Sequence, residues 1–272
     1  MDMIIDNTEL LSKVDQELIN IREIMDNDFV MEMFTKDFGL RFCWSSNAIE
    51  GNTLTLEETI DVIEYDEVKS GKPYSHYHQA KSLYKAISET MLPFHFEMIT
   101  EEWIKKNNGV IIGASGEYKT KKNYIGSDIE IIFIPALPED VPELMKSFIN
   151  TVNFEANTIS EVIEKVAKAH FDFERIHPFH DGNGRVGRMI LNQQLINHGL
   201  LPITIGPSGD YRRSFKIYDK NGDTSKLIHE ICKAELVAIE RVRDLYLKTK
   251  QKFSLEPSLD EHISEAIAQK NK

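Results

Sequence analysis

Two stretches of strong helical periodicity, from Ser160 through "VIEKVAKAHFDFERI" and from Asn183 through "GRVGRMILNQQLINHG", are separated by only six residues, "HPFHDG". Pro178 cannot sit inside a continuous helix, so the first helix is expected to end at about His177. The run "DGNG" is turn chemistry, because glycine tolerates positive φ and lets successive N–H groups converge. The second helix is expected to run to about Gly199. A chain with this pattern at its centre is expected to build its core from helices packed on helices.

The remaining periodicity agrees. Thr8 is placed to cap a helix carrying Leu11, Val14, Leu18, Ile21 and Met25. A second apolar segment runs from Phe29 into "RFCWSSNAIEGN", and Thr55 with Glu58 forms a capping-box pattern ahead of "TIDVIEY". Helices are also expected over Ser75 to Ile87, after Thr100, after Pro138 and after Thr224, the last with Leu227, Ile231, Leu236, Ile239 and Leu245 near one side. The texture changes once, at "KKNYIGSDIEIIFIPALP", where β-branched and aromatic residues gather around a turn and two prolines close the run. The expected fold is all-α, a helical bundle with one small β-hairpin. The expected division is an N-terminal helical region over residues 1–100, a core domain over 101–250 and a polar segment over 251–272.

A chain of 272 residues can bury a full core. Its net charge of −12 argues against nucleic acid as a partner, since that needs a basic face. No apolar run approaches membrane-spanning length, and "MDMIIDNTEL" carries acids where a signal peptide would carry bases. Cys43 and Cys232 make neither a disulfide framework nor a zinc spacing, so a cytoplasmic setting is expected. In so acidic a chain, any anion must be held by local positive potential, which gives weight to Arg185 and Arg188.

The segment "HPFHDGNGRVGR" combines the parts of phosphoryl or nucleotidyl transfer. His177 can take a proton near neutrality. Asp181 offers a hard oxygen of the kind Mg²⁺ uses together with phosphate oxygens and water. The glycine turn feeding a helix N-terminus makes an anion site, and Arg185 and Arg188, three apart, can both reach a polyphosphate held there.

In its full order this segment resembles the Fic family signature HxFx(D/E)GNGRxxR, matching at His177, Phe179, Asp181, Gly182, Asn183, Gly184, Arg185 and Arg188. The similarity extends from about Tyr118 to Ala234. It implies a helical fold with a β-hairpin flap beside the site, and transfer of AMP from ATP, the co-substrate, to a Tyr, Thr or Ser hydroxyl of a target protein. By resemblance, His177 deprotonates the acceptor and Asp181 holds Mg²⁺ against the α- and β-phosphates. Gly182, Asn183 and Gly184 cradle phosphates, Arg185 assists there, Arg188 clamps the γ-phosphate and Phe179 anchors the loop. A flap around Ile125, Gly126, Ser127 and Asp128 would pair with an extended target segment. Tyr211 and Asn221 are candidates for adenosine contacts. Kinases of the Doc type carry Lys where Gly184 stands, and this chain does not follow them.

Upstream, "SSNAIEGN" resembles the family's inhibitory motif (S/T)xxxE(G/N) through Ser46, Glu50 and Gly51. Ser46 and Glu50 share a helix face, and Gly51 can end that helix and leave Glu50 at its tip. A glutamate paired with Arg188 would occupy the place of a γ-phosphate, so autoinhibition is expected. "DKNGD" lacks the glycine and glutamate of a calcium loop, His170 sits on an apolar face as a structural histidine, and His180 has no assigned role. The alternatives are an enzyme removing AMP at the same site, and a non-catalytic ATP-sensing module. The target's identity is not written in the sequence, and a homo-oligomer is compatible with it.

Overall fold

The computed structural model describes residues 4–69, 71–127 and 130–255. Among them are ten helices: α1 (Thr8–Met25), α2 (Asp28–Ile49), α3 (Leu56–Glu64), α4 (Tyr74–Thr90), α5 (Glu101–Ile112), α6 (Val141–Val152), α7 (Ile159–Ile176), α8 (Asn183–Asn197), α9 (Gly209–Asn221) and α10 (Ser225–Leu255). One antiparallel hairpin, β1 (Ile125–Ser127) and β2 (Glu130–Phe133), lies between α5 and α6. Its register pairs Ile125 with Phe133 and Ser127 with Glu130, with an irregularity between Ile125 and Gly126. The all-α fold with one hairpin is therefore observed.

Helix starts follow local chemistry. Asn27, Thr100, Thr158 and Ser208 each accept from the backbone N–H three residues on. Thr55 and Glu58 close both halves of a capping box. Two expected boundaries shift. Thr8 is the first helical residue rather than the cap, because its N–H and hydroxyl both turn back to Asp6 Oδ1. The helix expected after Pro138 begins at Val141, beyond a turn, with Pro142 in its first positions, where the missing N–H costs nothing.

The main core runs through α1, α2, α4 to α8 and α10. α8 is its centre, packed against α7, α5 and α2, and Val186, Met189, Ile190, Leu191 and Leu195 are all fully buried. α10 backs the molecule against α1, α2, α7 and α9. A satellite cluster of Leu54, Val62, Tyr77 and Ala80 joins α3 to α4 and braces the far end of α2. These contacts bring the end of α2 and the start of α8 together, although Ser46 and Arg188 are 142 residues apart in the chain.

Candidate active site

The site is built where α7 stops and α8 starts. α7 ends at His177, whose N–H still donates to Phe173 O (2.9 Å) but whose φ of +49° is left-handed. A non-glycine residue rarely adopts this conformation, at a cost of order 1 kcal/mol. The reversal sends Phe179 into the core, where it is fully buried beside Tyr118. Burying a phenylalanine contributes about 1.5–3 kcal/mol, which offsets the strain.

The Asn183 side chain clasps that residue's backbone. Its Oδ1 accepts from Phe179 N (2.8 Å) and its Nδ2 donates to Phe179 O (2.9 Å). The amide is thereby engaged in holding the loop, and the Asn183 backbone N–H is one of the groups at the helix start. Gly182 has φ +81°, and a Cβ there would meet Asn108 Nδ2 at 2.8 Å. That Nδ2 donates to Asp181 O (2.8 Å), tying the turn to α5.

α8 begins without a side-chain cap, so its first-turn N–H groups are available to an anion. Asp181 Oδ1 accepts from Gly182 N (2.6 Å) and from Arg185 Nη2 (3.1 Å), while the side chain as a whole is 75% exposed. Among the described residues no three His, Cys, Asp or Glu side chains cluster as a metal cage. One exposed carboxylate beside an anion site nevertheless fits Mg²⁺, which takes its other ligands from phosphates and water.

Arg188 lies on the next turn, 3% exposed, and α2 saturates its inner face. Nε donates to Ser46 Oγ (2.8 Å), and Nη2 donates to Ser46 O (3.0 Å) and Glu50 Oε1 (2.6 Å). α2 ends at Ile49, whose carbonyl accepts from Arg212 Nη2 (2.9 Å). Glu50 is the C-cap, and Gly51 turns the chain away with φ +92°. Gly184 makes the approach feasible: a Cβ there would lie 2.4 Å from Glu50 Oε1 and 3.0 Å from Arg188 Nη1. The nearby carboxylate raises the already high basicity of Arg188 against the opposing effect of burial.

The His177 imidazole is largely buried, and its Nδ1 has no hydrogen-bond partner. Burial lowers its pKa to about 4, and the Lys119 ammonium pushes the same way. Lys119 is itself buried and lowered to about 8. The ring is therefore neutral near pH 7, as a base must be.

The segment leading into the hairpin is laced to the motif loop. Lys119 N donates to Pro178 O (2.8 Å), Thr120 N to His180 Nε2 (3.1 Å) and Asn123 Nδ2 to Phe179 O (3.1 Å). On the other side, Arg175 stacks on Phe133, with its guanidinium carbon 4.2 Å from the ring centre. Ile125, Gly126 and Ser127 form β1, and Asp128 lies outside the described residues. Tyr211 is buried with its hydroxyl on His170 Nε2 (2.7 Å), and Asn221 accepts from Asp223 N in a local turn (3.1 Å). His170 also contacts Gly187 O, and its pKa falls to about 3 through burial.

Sequence reasoning missed Glu174, Lys119, Asn108 and Arg212. Glu174 was visible in principle: it falls four residues after His170 on the apolar stripe of α7, where an acid is out of place. The others carried no signal, because their roles come from elements distant in sequence.

An all-α bundle with a glycine turn at its centre, a lone hairpin against that turn and an arginine buried beneath it defines the class of fold. Residues 95–195 match the family model described as Fic/DOC family. It is 24% identical over 251 residues to protein adenylyltransferase fic-1 of Caenorhabditis elegans, covering 86% of this chain and 48% of that protein. It is 27% identical over 204 residues to protein adenylyltransferase Fic of Nematostella vectensis, covering 72% and 47% respectively. The chain thus spans about half the length of the curated relatives it matches. Among solved structures it resembles a Fic domain containing signaling protein from Bacteroides thetaiotaomicron, with TM-score 0.72 and 23% identity, covering 86% of this chain and 97% of that one. It also resembles Fic-1 from C. elegans, with TM-score 0.71 and 24% identity, covering 89% and 76%. Among the described residues no helix is long and apolar enough to cross a membrane.

Proposed function

We propose that this chain is an autoinhibited protein adenylyltransferase that moves AMP from ATP to a hydroxyl of a target protein. One observation carries the reading: Glu50 enters from α2 to occupy the buried Arg188 at the start of α8. That is where an uncapped helix start and a neutral histidine converge. The names of the sequence relatives support the same activity.

In this reading a triphosphate lies over the first turn of α8, held by the N–H groups of residues 183–185, by Arg185 and by Arg188 on the γ-phosphate. Asp181 would hold Mg²⁺, which when bound neutralises charge between the phosphates. The acceptor hydroxyl gives its proton to His177 Nε2 while its oxygen bonds to the α-phosphorus. The bond from that phosphorus to the bridging oxygen breaks, and pyrophosphate leaves. The target segment docks along the hairpin, which would add it as a strand. The buried free thiols of Cys43 and Cys232 suit a reducing cytoplasm. The core domain we assign is residues 101–250, with α2 of the N-terminal region supplying the inhibitor.

Glu50 engages Arg188 through Oε1, and its side chain is 39% exposed. The remaining oxygen could orient water against an AMP-modified side chain, which supports hydrolytic removal as a second reading. Glu50→Ala protein incubated with α-labelled ATP and lysate should transfer label to protein, whereas wild type should transfer little and the Glu50→Ala/His177→Ala double variant none. Equal labelling by wild type and Glu50→Ala would overturn autoinhibition. AMP release from labelled protein by wild type, lost in Glu50→Ala, would favour the hydrolytic reading.

A further inference from the structure

Glu174 is a buried acid beside His177 that no step above uses. It sits in the last turn of α7, 7% exposed, three residues before the histidine. Its Oε1 has no hydrogen-bond partner, and its Oε2 lies 3.9 Å from His177 Nδ1, which is also buried and unpartnered. A buried polar atom without a partner costs about 1–3 kcal/mol. His177 Nδ1, able to donate, and Glu174 Oε2, able to accept, form an interrupted hydrogen bond, and the carboxyl's other oxygen is left without a partner.

The packing makes room for this pair. The carboxyl fits between α7 and α8 because position 187 is glycine, where a Cβ would lie 2.4 Å from Glu174 Oε1. The charged and titratable groups around it come from several elements. His170, Arg175 and His177 share its helix, Arg188 comes from α8, Glu50 from the end of α2 and Tyr211 from α9, while Lys119 acts on His177. Burial raises Glu174 to about 7, Arg188 opposes that rise, and Glu50 adds to it. Withdrawing Glu50 from Arg188 therefore favours the ionised carboxylate.

We propose that Glu174 is the positioning residue of the base, its carboxylate accepting the Nδ1–H of His177 so that Nε2 keeps the lone pair facing the acceptor. This rests on the adenylyltransferase reading above. Closing the gap needs a movement of about 1 Å, within the reach of two side-chain rotations. As the acceptor's oxygen bonds to the α-phosphorus and pyrophosphate departs, the proton arrives on Nε2. The imidazolium so formed is then stabilised by a carboxylate that stays ionised, a division of labour that fixes both tautomer and ring orientation. The competing acceptor is the main-chain carbonyl of Glu174, which also faces the ring and raises its basicity, though outside hydrogen-bonding geometry.

The test uses the Glu50→Ala protein with α-labelled ATP and lysate, and long-range ¹H–¹⁵N spectra to read the His177 tautomer. Glu174→Met, apolar and of similar length, should lower the rate at saturating ATP by roughly 10–100-fold, the range seen when a partner orienting a functional histidine is lost. Half-saturating ATP should stay unchanged, and His177 should move from the Nδ1–H form towards Nε2–H. Glu174→Gln keeps the shape and removes the charge, so its rate should also fall and its acidic limb should shift to lower pH. The proposal is overturned if the tautomer stays Nδ1–H in Glu174→Met, whether or not the rate falls, since the carbonyl would then hold the ring. It is equally overturned if Glu174→Gln leaves rate and limb unmoved. If His177→Ala retains full transfer, the base assignment fails instead, which is a separable result.

Discussion

Replacing Glu50 by alanine should tighten ATP far more than ADP. Arg188 is 3% exposed, and its bond to Glu50 Oε1 at 2.6 Å is one of three it makes with α2. A hydrogen bond between charged groups contributes about 1.5–3 kcal/mol. Glu50 is 39% exposed, and solvent screening places this pair in the lower part of that range, about 1.5–2 kcal/mol. A γ-phosphate on Arg188 must first displace the carboxylate. At 1.4 kcal/mol per tenfold, removing the competitor should raise affinity for a non-hydrolysable ATP analogue by roughly 10–30-fold. ADP has no group at that position, so its affinity should change by less than about threefold, because a ligand indifferent to the two states gains nothing. Calorimetric titration of wild type, Glu50→Ala and Glu50→Gln with both nucleotides and Mg²⁺ measures the difference. In the absence of nucleotide the same change leaves a buried guanidinium without its carboxylate partner, its two bonds to Ser46 remaining. Stability should fall by a similar amount and Tm by roughly 3–8 °C. Equal gains for ATP and ADP, or none for ATP, would refute the view that Glu50 and the γ-phosphate contend for one arginine.

Other consequences are as specific. Asn183→Ala should remove both bonds to Phe179 and leave its buried backbone groups unmatched, lowering stability by about 2–4 kcal/mol in urea unfolding. Glu235 is fully buried, accepts from Leu201 N (2.9 Å) and has a pKa raised by burial to about 8. Its protonated form is favoured in the fold, so its contribution is complete below pH 4.5 and is lost as pH rises through 8. Glu235→Gln should therefore raise Tm at pH 8 relative to wild type and leave the ordering at pH 4.5 unimproved. His170, lowered to about 3, works in the opposite sense, its stabilisation being lost as pH falls from 6.5 towards 3, so acid unfolding should begin in that window. Lys119→Met should shift the acidic limb of transfer by the Glu50→Ala protein to higher pH, because the ammonium lowers the His177 pKa.

The parts legible in the sequence were those decided locally. Pro178 after a long periodic stretch fixed where α7 ends, the glycines around Asn183 fixed a turn, and the β-branched run before Pro135 stood out as a lone hairpin. All three need only neighbours within a few residues. The clasp of the Asn183 side chain on the Phe179 backbone was not legible, because it depends on how deeply Phe179 sinks, and burial is a tertiary property. Lys119 was invisible for the same reason: its low pKa comes from desolvation in a crevice made by the hairpin stem and the end of α7.

Gly184 shows why the motif and the upstream segment must be considered as one device. As a helix-start residue it leaves N–H groups open to an anion, and any small residue would do nearly as well. Its lack of a Cβ matters at a second place, since that atom would lie 2.4 Å from Glu50 Oε1. A larger residue at 184 would clash with the carboxylate and push it off Arg188. In the adenylyltransferase reading proposed above, the same empty volume would admit either the γ-phosphate or Glu50. The site can be closed by a contact weak enough for roughly 2 kcal/mol to reverse it. A strong, fully buried pair would not serve, because breaking it would leave a stranded charge costing about 3–5 kcal/mol. Glu50 stands at a helix end with more than a third of its side chain in solvent, which in the autoinhibited reading would keep the contact reversible.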